Sequence, residues 1–333
     1  MVTCLAVGDP HFQVNNVKQC HQLIDRVLST INKVKPDFVV LLGDLLHTHE
    51  RIHIVPLNLA NHFISSIAEL VPVYVIIGNH DLINCSQFLT DNHAFNSFKE
   101  KYNVTICDKP ILVEIADKRF VFCPYVPPNS FEEALDTIGE DWTGVDCIFA
   151  HQEFYGCSYN PTMKSVEGDI WPEEYPMVVS GHIHNEQRLQ RNIYYPGTPM
   201  QHAFGEAEKK IIAHLTFHDS SMSIKRIDLE LERKKIVYAT LTQAEKYELP
   251  TDGSVAIKLV VKCGTESANL FRKSAKYKAL IKAGVLVSFI PDTTQLSNVI
   301  ESREKRGIKE ILEELIKNDG EAVHNAFKTL FEK

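Results

Sequence analysis

Five short apolar runs in this chain each stop at a polar cluster that no hydrophobic core can hold. "TCLAV" runs into Gly8-Asp9-Pro10-His11, and "DFVVLL" into Gly43-Asp44-Leu45-Leu46-His47. "VPVYVII" ends at Gly78-Asn79-His80-Asp81, "VDCIFA" at His151, and "YPMVVS" at Gly181-His182-Ile183-His184. Each run has strand length and is rich in β-branched residues. Helix-like stretches separate them. In "VKQCHQLIDRVLSTINKV", Cys20, Ile24, Leu28 and Ile31 fall roughly on one face. Alternating strands and helices predict an α/β fold with buried, largely parallel strands. Sites in such sheets are built from loops at the carboxyl ends of strands, so the five clusters are predicted to share one edge.

Imidazole nitrogens and carboxylate oxygens suit borderline divalent ions such as zinc, manganese and iron. A small residue before each cluster lets the backbone approach an ion closely. Taken singly, each cluster has an ordinary explanation. Asp9-x-His11 reads as a loop, Gly43-Asp44 as a common turn, and a lone His151 as a hydrogen-bonded core histidine. Five such clusters in one order, each on a strand end, make a shared metal site the better reading.

Composition narrows the class without naming it. The 333 residues are 44% hydrophobic and 23% charged, as in a globular protein. Net charge is -8, so no polyanion partner shows in the total. The eight cysteines form no C-x-x-C pair, and several lie in apolar runs, which favours buried thiols in a reducing compartment. The start, "MVTCLAVGDPH", lacks the basic and apolar regions of a signal peptide. No window reaches the roughly 20 apolar residues of a membrane helix. The sequons at Asn84 and Asn103 are therefore read as chance matches.

A second block begins near Arg233. "SVAIKLVVKC" alternates Val255, Ile257, Leu259 and Val261 on one face. Helix-like "TESANLFRKSAKYKALIKAG" and a strand, "VLVSFIP", follow. Between Ser254 and Gly284 stand Lys258, Lys262, Arg272, Lys273, Lys276, Lys278 and Lys282 against Glu266 alone. Seven against one is locally +6, which leaves -14 for the rest of the -8 chain. Two apolar stripes close the sequence: Ile308, Ile311, Leu312, Leu315 and Ile316, then Val323, Ala326, Phe327, Leu330 and Phe331.

The ordered motifs D-x-H, G-D, G-N-H-D, H and G-H-x-H resemble those of the calcineurin-like metallophosphoesterases, over about the first 205 residues. The resemblance implies two mixed β-sheets in a sandwich flanked by helices. It also implies two divalent metals, manganese by preference. Asp9, His11 and His184 would hold one metal, Asn79, His151 and His182 the other, and Asp44 would bridge them. His80 would face the scissile phosphate and serve the leaving alkoxide, with Asp81 orienting it through its second nitrogen.

Protein phosphatases of the family carry G-D-x-x-D-R-G, which "GDLLHTHE" does not match. "GDLLH" instead resembles the SbcD-type DNA repair nucleases, which makes His47 a second substrate-facing histidine. "HQEF" and "YYPGTPMQHAFGE" are similar to segments of the same group, although His202-Ala203 departs from its usual polar small residue. His49, His53, His62 and His93 are read as solvated loop residues. The resemblance implies DNA as substrate and an SbcC-type SMC-like ATPase as partner. It divides the chain into a catalytic domain over 1–232, a capping domain over 233–295 and C-terminal docking helices over 296–333. Lys258, Arg272, Lys273 and Lys276 become candidate DNA contacts. A homodimer through "NLANHFISSIAEL" is a further expectation, and the compartment would be the cytoplasm of a bacterial or phage-infected cell, or the nucleus or virus-infected cytoplasm of a eukaryotic one. The alternatives are a nucleotide or cyclic-nucleotide phosphodiesterase of the same fold and a non-catalytic scaffold.

Overall fold

The computed structural model describes residues 1–291 except Glu50, Pro161, residues 207–208, Ser220 and residues 249–254, together with Ile316, Val323 and Phe327. The apolar runs form strands because both faces of each are covered. Along β1 (Val2–Val7), Leu5 and Val7 point into one core, while Val2, Cys4 and Ala6 point into another. β2 (Phe38–Leu41) divides the same way, with Val39 and Leu41 on one side and Phe38 and Val40 on the other. Period-two alternation in which both faces are apolar is the mark of a strand inside a layered fold.

The first sheet runs β14 (Met222–Ile227), β13 (Ile212–Phe217), β1, β2, β3 (Val73–Ile76), β4 (Val104–Cys107). The second runs β11 (Gln187–Gln190), β12 (Ile193–Tyr195), β10 (Val178–Ser180), β7 (Cys147–Ala150), β6 (Lys118–Cys123), β5 (Ile111–Ile115). Parallel pairing fills the centre of each, as in β1–β2–β3–β4 and β6–β7–β10–β12. Antiparallel strands lie at one edge of the first sheet and at both edges of the second. The sheets face each other across an aromatic layer in which Phe38, Phe120, Phe122, Phe149 and Phe217 meet. The Phe122 and Phe149 rings stack at 5.3 Å. Emptying one such position costs about 3–5 kcal/mol.

Helices α1 (Val17–Val34) and α2 (Ile54–Ala68) cover the outer face of the first sheet. The α1 stripe buries Cys20, Leu23, Ile24, Val27 and Ile31, and the helix ends where Lys35 turns left-handed and its N–H reaches the Ile31 carbonyl. α3 (Phe131–Asp136), Trp142 and Trp171 cover the second sheet. A small hairpin, β8 (Ser158–Asn160) and β9 (Met163–Lys164), follows β7. Among the described residues no helix is long and apolar enough to cross a membrane.

The chain separates into two compact units, Met1–Ile236 with Leu249–Ile257, and Val237–Glu248 with the chain from Lys258 on. β15 (Arg233–Thr240), β16 (Val255–Lys262) and β17 (Leu286–Ile290) make a three-stranded sheet. α4 (Leu241–Lys246) opens on a capping box between Thr240 and Gln243. The single helix expected after Thr265 is two, α5 (Thr265–Lys273) and α6 (Ala275–Lys282). Ser274 is extended between them, and its hydroxyl accepts from the Tyr277 N–H at 3.1 Å. A serine competes for backbone donors and so favours a cap over a helix interior. Arg272 and Lys273 are exposed on α5, while Lys258 on β16 and Lys276 on α6 are half-buried. The Arg272 guanidinium lies 4.5 Å over the Phe289 ring. The two C-terminal stripes fall outside the described residues, apart from Ile316, Val323 and Phe327.

Candidate metal centre

The carboxyl ends of five parallel strands deliver the polar clusters to one place. Asp9 and His11 follow β1, Asp44 follows β2, Asn79 and His80 follow β3, His151 follows β7, and His182 and His184 follow β10. The backbone there is bent hard. His11, Asp44 and His182 have φ of 44°, 49° and 75°. A non-glycine residue held left-handed costs on the order of 1–3 kcal/mol and persists only where its surroundings force it. Here the His11 N–H donates to the Asp44 carbonyl at 3.0 Å, and the His182 N–H to Asp9 Oδ1 at 2.8 Å. Two glycines have no substitute. A Cβ on Gly43, itself at φ 96°, would lie 2.3 Å from His151 Nδ1, and one on Gly181 would lie 2.2 Å from the Leu42 carbonyl oxygen.

Asn79, His151 and His182 form one half. Asn79 Oδ1 lies 2.9 Å from both His151 Nε2 and His182 Nδ1, and those two nitrogens are 3.3 Å apart. His151 is fully buried, and its Nδ1–H donates to the Leu42 carbonyl at 2.6 Å, so Nε2 points inward. Burial alone would lower its pKa, but the Asp44 and Asp9 carboxylates overcome this and hold it up at about 9.

The other half is crowded with imidazoles. His11 Nε2 lies 3.0 Å from His184 Nε2 and 3.6 Å from Asp44 Oδ2. Nitrogens of His47 and His80 lie within 4.8 Å of that of His11. Burial pushes the His11 pKa well down, against the pull of Asp44. Asp9 Oδ2 and His11 Nδ1 are buried with no hydrogen-bond partner among the described residues.

Asp44 stands between the halves. Its Oδ1 is 3.4 Å from His151 Nε2, while Oδ2 faces His11. Converging lone pairs, an unpaired buried carboxylate oxygen and a carboxylate spanning two clusters fit divalent cations of the borderline class. The seven expected ligands Asp9, His11, Asp44, Asn79, His151, His182 and His184 are thus brought together.

His80 lies at the rim, half-buried, with its Nδ1–H on the His47 carbonyl at 2.7 Å and its backbone N–H on Asp44 Oδ1 at 2.8 Å. The exposed His47 ring is parallel to it at 5.6 Å. The expected role of Asp81 needs correction. Its carboxylate does not orient His80. It accepts the N–H groups of Leu46 (3.0 Å), Gly78 (3.1 Å) and Leu45 (3.3 Å), because these buried donors at the turn have no strand to bond. Burial first, then the Asp44 charge, raises its pKa to about 7.

Two histidines read as solvated are not. His49 stacks on His80 at 4.5 Å. The His93 side chain is fully buried, accepting from the Phe95 N–H at 3.1 Å and lying 3.3 Å from Asp108. Other contributors escaped notice. The His202 Nε2–H donates to the Asp9 carbonyl at 3.0 Å, and its ring meets His11 edge-on at 4.9 Å. Lys210 Nζ donates to the His184 carbonyl at 2.9 Å and pairs with Glu206 at 3.0 Å. Tyr125 stacks on His182 at 5.9 Å, and Glu153 Oε2 lies 3.7 Å from His182 Nε2. Only the G-D-L-L-H, H-Q-E-F and H-A-F-G-E neighbourhoods hinted at any of these.

Imidazole and carboxylate sets on the edge of two mixed sheets define a hydrolase centre that binds divalent metal. The chain belongs to the calcineurin-like phosphoesterase family, whose model matches residues 2–186. It is 40% identical over 327 residues to "Putative phosphoesterase 078R" of Invertebrate iridescent virus 3, covering 96% of this chain and 94% of that one. It is 40% identical over 280 residues to "Putative phosphoesterase 244L" of Invertebrate iridescent virus 6, covering 81% and 97%. The solved structure of Yfce, a phosphoesterase from E. coli, overlaps 68% of this chain and 99% of its own, at 15% identity and a TM-score of 0.32.

Proposed function

We propose that the chain is a manganese-dependent nuclease hydrolysing DNA phosphodiesters, the nuclease subunit of a complex like SbcC–SbcD. The observation that carries this reading is the parallel ring pair of His47 and His80 beside His11. A phosphodiester seated against the centre meets both imidazoles, and His47 comes from the G-D-L-L-H motif that sets SbcD-type nucleases apart. A pair of divalent ions, one in each half, would supply a nucleophilic water and Lewis acidity at both reacting oxygens.

The chain's own residues do the rest. Asp44 keeps the halves in register. The His47 carbonyl fixes the His80 ring so that Nε2 is the atom that carries a proton to substrate. Burial holds the His80 pKa below its ordinary value in the free protein. A phosphodiester anion beside the ring favours the protonated form, whose Nε2–H then passes to the leaving alkoxide. Asp81 acts through the loop it ties down.

Lys258, Arg272, Lys273 and Lys276 would contact the DNA backbone, with Arg272 already braced on Phe289. The C-terminal stripes would dock on the coiled coil of an SbcC-type ATPase. A homodimer through α2 would use Asn58, His62 and Ser66, since Leu59, Phe63 and Ile67 are buried in the chain's own core. The reading suits the inside of a bacterial, phage-infected or virus-infected cell.

Manganese-dependent digestion of end-labelled duplex DNA, with product lengths resolved, tests it. Cleavage lost on replacing His47 or His80 supports the nuclease. Turnover of cyclic nucleotides or nucleotides with intact DNA assigns the centre to a small-molecule phosphodiesterase, and a metal-loaded, inert protein assigns it to a scaffold.

A further inference from the structure

His151 and His182 aim nitrogens at the same point, and each ring must be held by its other nitrogen. For His151 the holder is the main-chain carbonyl of Leu42 at 2.6 Å, which no side-chain substitution removes. For His182 the group facing Nε2 is a side chain, Glu153 Oε2 at 3.7 Å. That separation is ion-pair reach, and hydrogen bonds in unliganded sites are often long and tighten when the ligand binds.

Glu153 is itself fixed by the segment it begins. Its carboxylate faces the side chains of Ser165 and Tyr159. The Asp169 N–H bonds back to the Glu153 carbonyl at 2.9 Å, closing residues 153–169 into a loop that contains the β8–β9 hairpin. This loop is clamped to the stretch after His184. Asn185 Nδ2 donates to the Tyr159 carbonyl at 2.8 Å, and the Gln187 amide bonds the Ser158 backbone in both directions at 2.9 Å. The carboxylate facing His182 is therefore anchored at both ends of one loop.

We propose that Glu153 is a positioning residue that accepts the Nε2–H of His182, turning the Nδ1 lone pair toward Asn79 and His151 and coupling cation binding in this half to the order of residues 153–169. The inference rests on the reading of His182 as a metal ligand. A carboxylate behind a ligating histidine fixes its tautomer and raises its basicity, and losing such a group weakens metal binding about 10- to 100-fold.

The test uses the full chain stripped with a chelator, titrated with Mn2+ by calorimetry and with Co2+ by absorption. Glu153→Gln is expected to weaken binding about 10- to 100-fold at the event that His182→Ala abolishes, leave the other event unchanged, and shift the cobalt d–d bands. Hydrogen exchange across 153–169 should slow on adding Mn2+ to the wild type and respond less in the variant. Tyr159→Phe, which keeps the carboxylate and removes a hydroxyl beside it, should show a smaller change of the same kind and carries the test if Glu153→Gln fails to fold. Equal affinities and equal cobalt spectra in wild type and variants overturn the inference and leave the ligand reading intact. A wild type with no binding event sensitive to His182→Ala overturns both.

Discussion

The two halves of the centre are built from similar residue types, two histidines with an asparagine or an aspartate, and hold them differently. In the Asn79–His151–His182 half, the far nitrogens face partners: the Leu42 carbonyl behind His151 and Glu153 behind His182. In the Asp9–His11–His184 half, His11 Nδ1 and Asp9 Oδ2 have no hydrogen-bond partner among the described residues, and the His11 ring meets those of His47, His80, His184 and His202 within 5.2 Å. The first half is preorganised by the fold. The second is a cluster of groups that a cation would satisfy. Ligand sets of similar composition can thus differ in how far the protein alone stabilises them.

The largest effect should come from the residue shared by both halves. Asp44→Ala should lower phosphoester hydrolysis on the order of 10³-fold by removing the charge between the halves, and elemental analysis should show depleted metal. Wild-type metal content would mean that Asp44 does not bridge. His80→Asn should keep its metal and lose turnover by about 10²-fold or more. Unchanged turnover would move the proton donor elsewhere, with His47 the next candidate.

The difference between the halves is best measured in metal-free protein. His151→Ala strands the Leu42 carbonyl and Asn79 in a dry site, so chemical denaturation should show a loss of about 3 kcal/mol. His11→Asn removes Nδ1, which has no partner among the described residues, and Nε2, which faces His184 and Asp44, and keeps a residue type that tolerates positive φ, so its cost should be smaller, about 1 kcal/mol. Equal costs would erase the contrast.

His93 and Asp108 give a reference outside the centre. Burial alone would raise the Asp108 carboxyl, but His93 and Lys99 overcome this and hold it at about 2. The folded value lies below the roughly 3.9 of an unfolded aspartate. The pair's contribution is therefore present above about pH 4 and lost as pH falls through 2. Asp108→Asn should cost about 1 kcal/mol at pH 7 after solvent screening, and melting curves should converge with wild type near pH 2.

Much of the architecture was legible because burial and chemistry leave opposite marks. The central strands declare themselves as apolar runs, and their ends as polar clusters that make little sense apart. Edge strands such as β5 and β14 are half-exposed, so their mixed composition carries a weaker signal. Asp81 could not be separated from His80 by sequence, since adjacency says nothing about which way a buried carboxylate turns. His49 and Glu153 earn their places only through contacts made when distant segments fold together. Ser274 was legible in principle, as a cap residue inside a helical pattern.

The ligands reach from Asp9 to His184, and each sheet brings only some of them: three strand ends from one layer, two from the other. Neither layer can assemble the centre without its counterpart. A captured ion therefore acts as a rivet through the sandwich, and by mass action its concentration becomes a setting of the protein's mechanical integrity as well as of its chemistry.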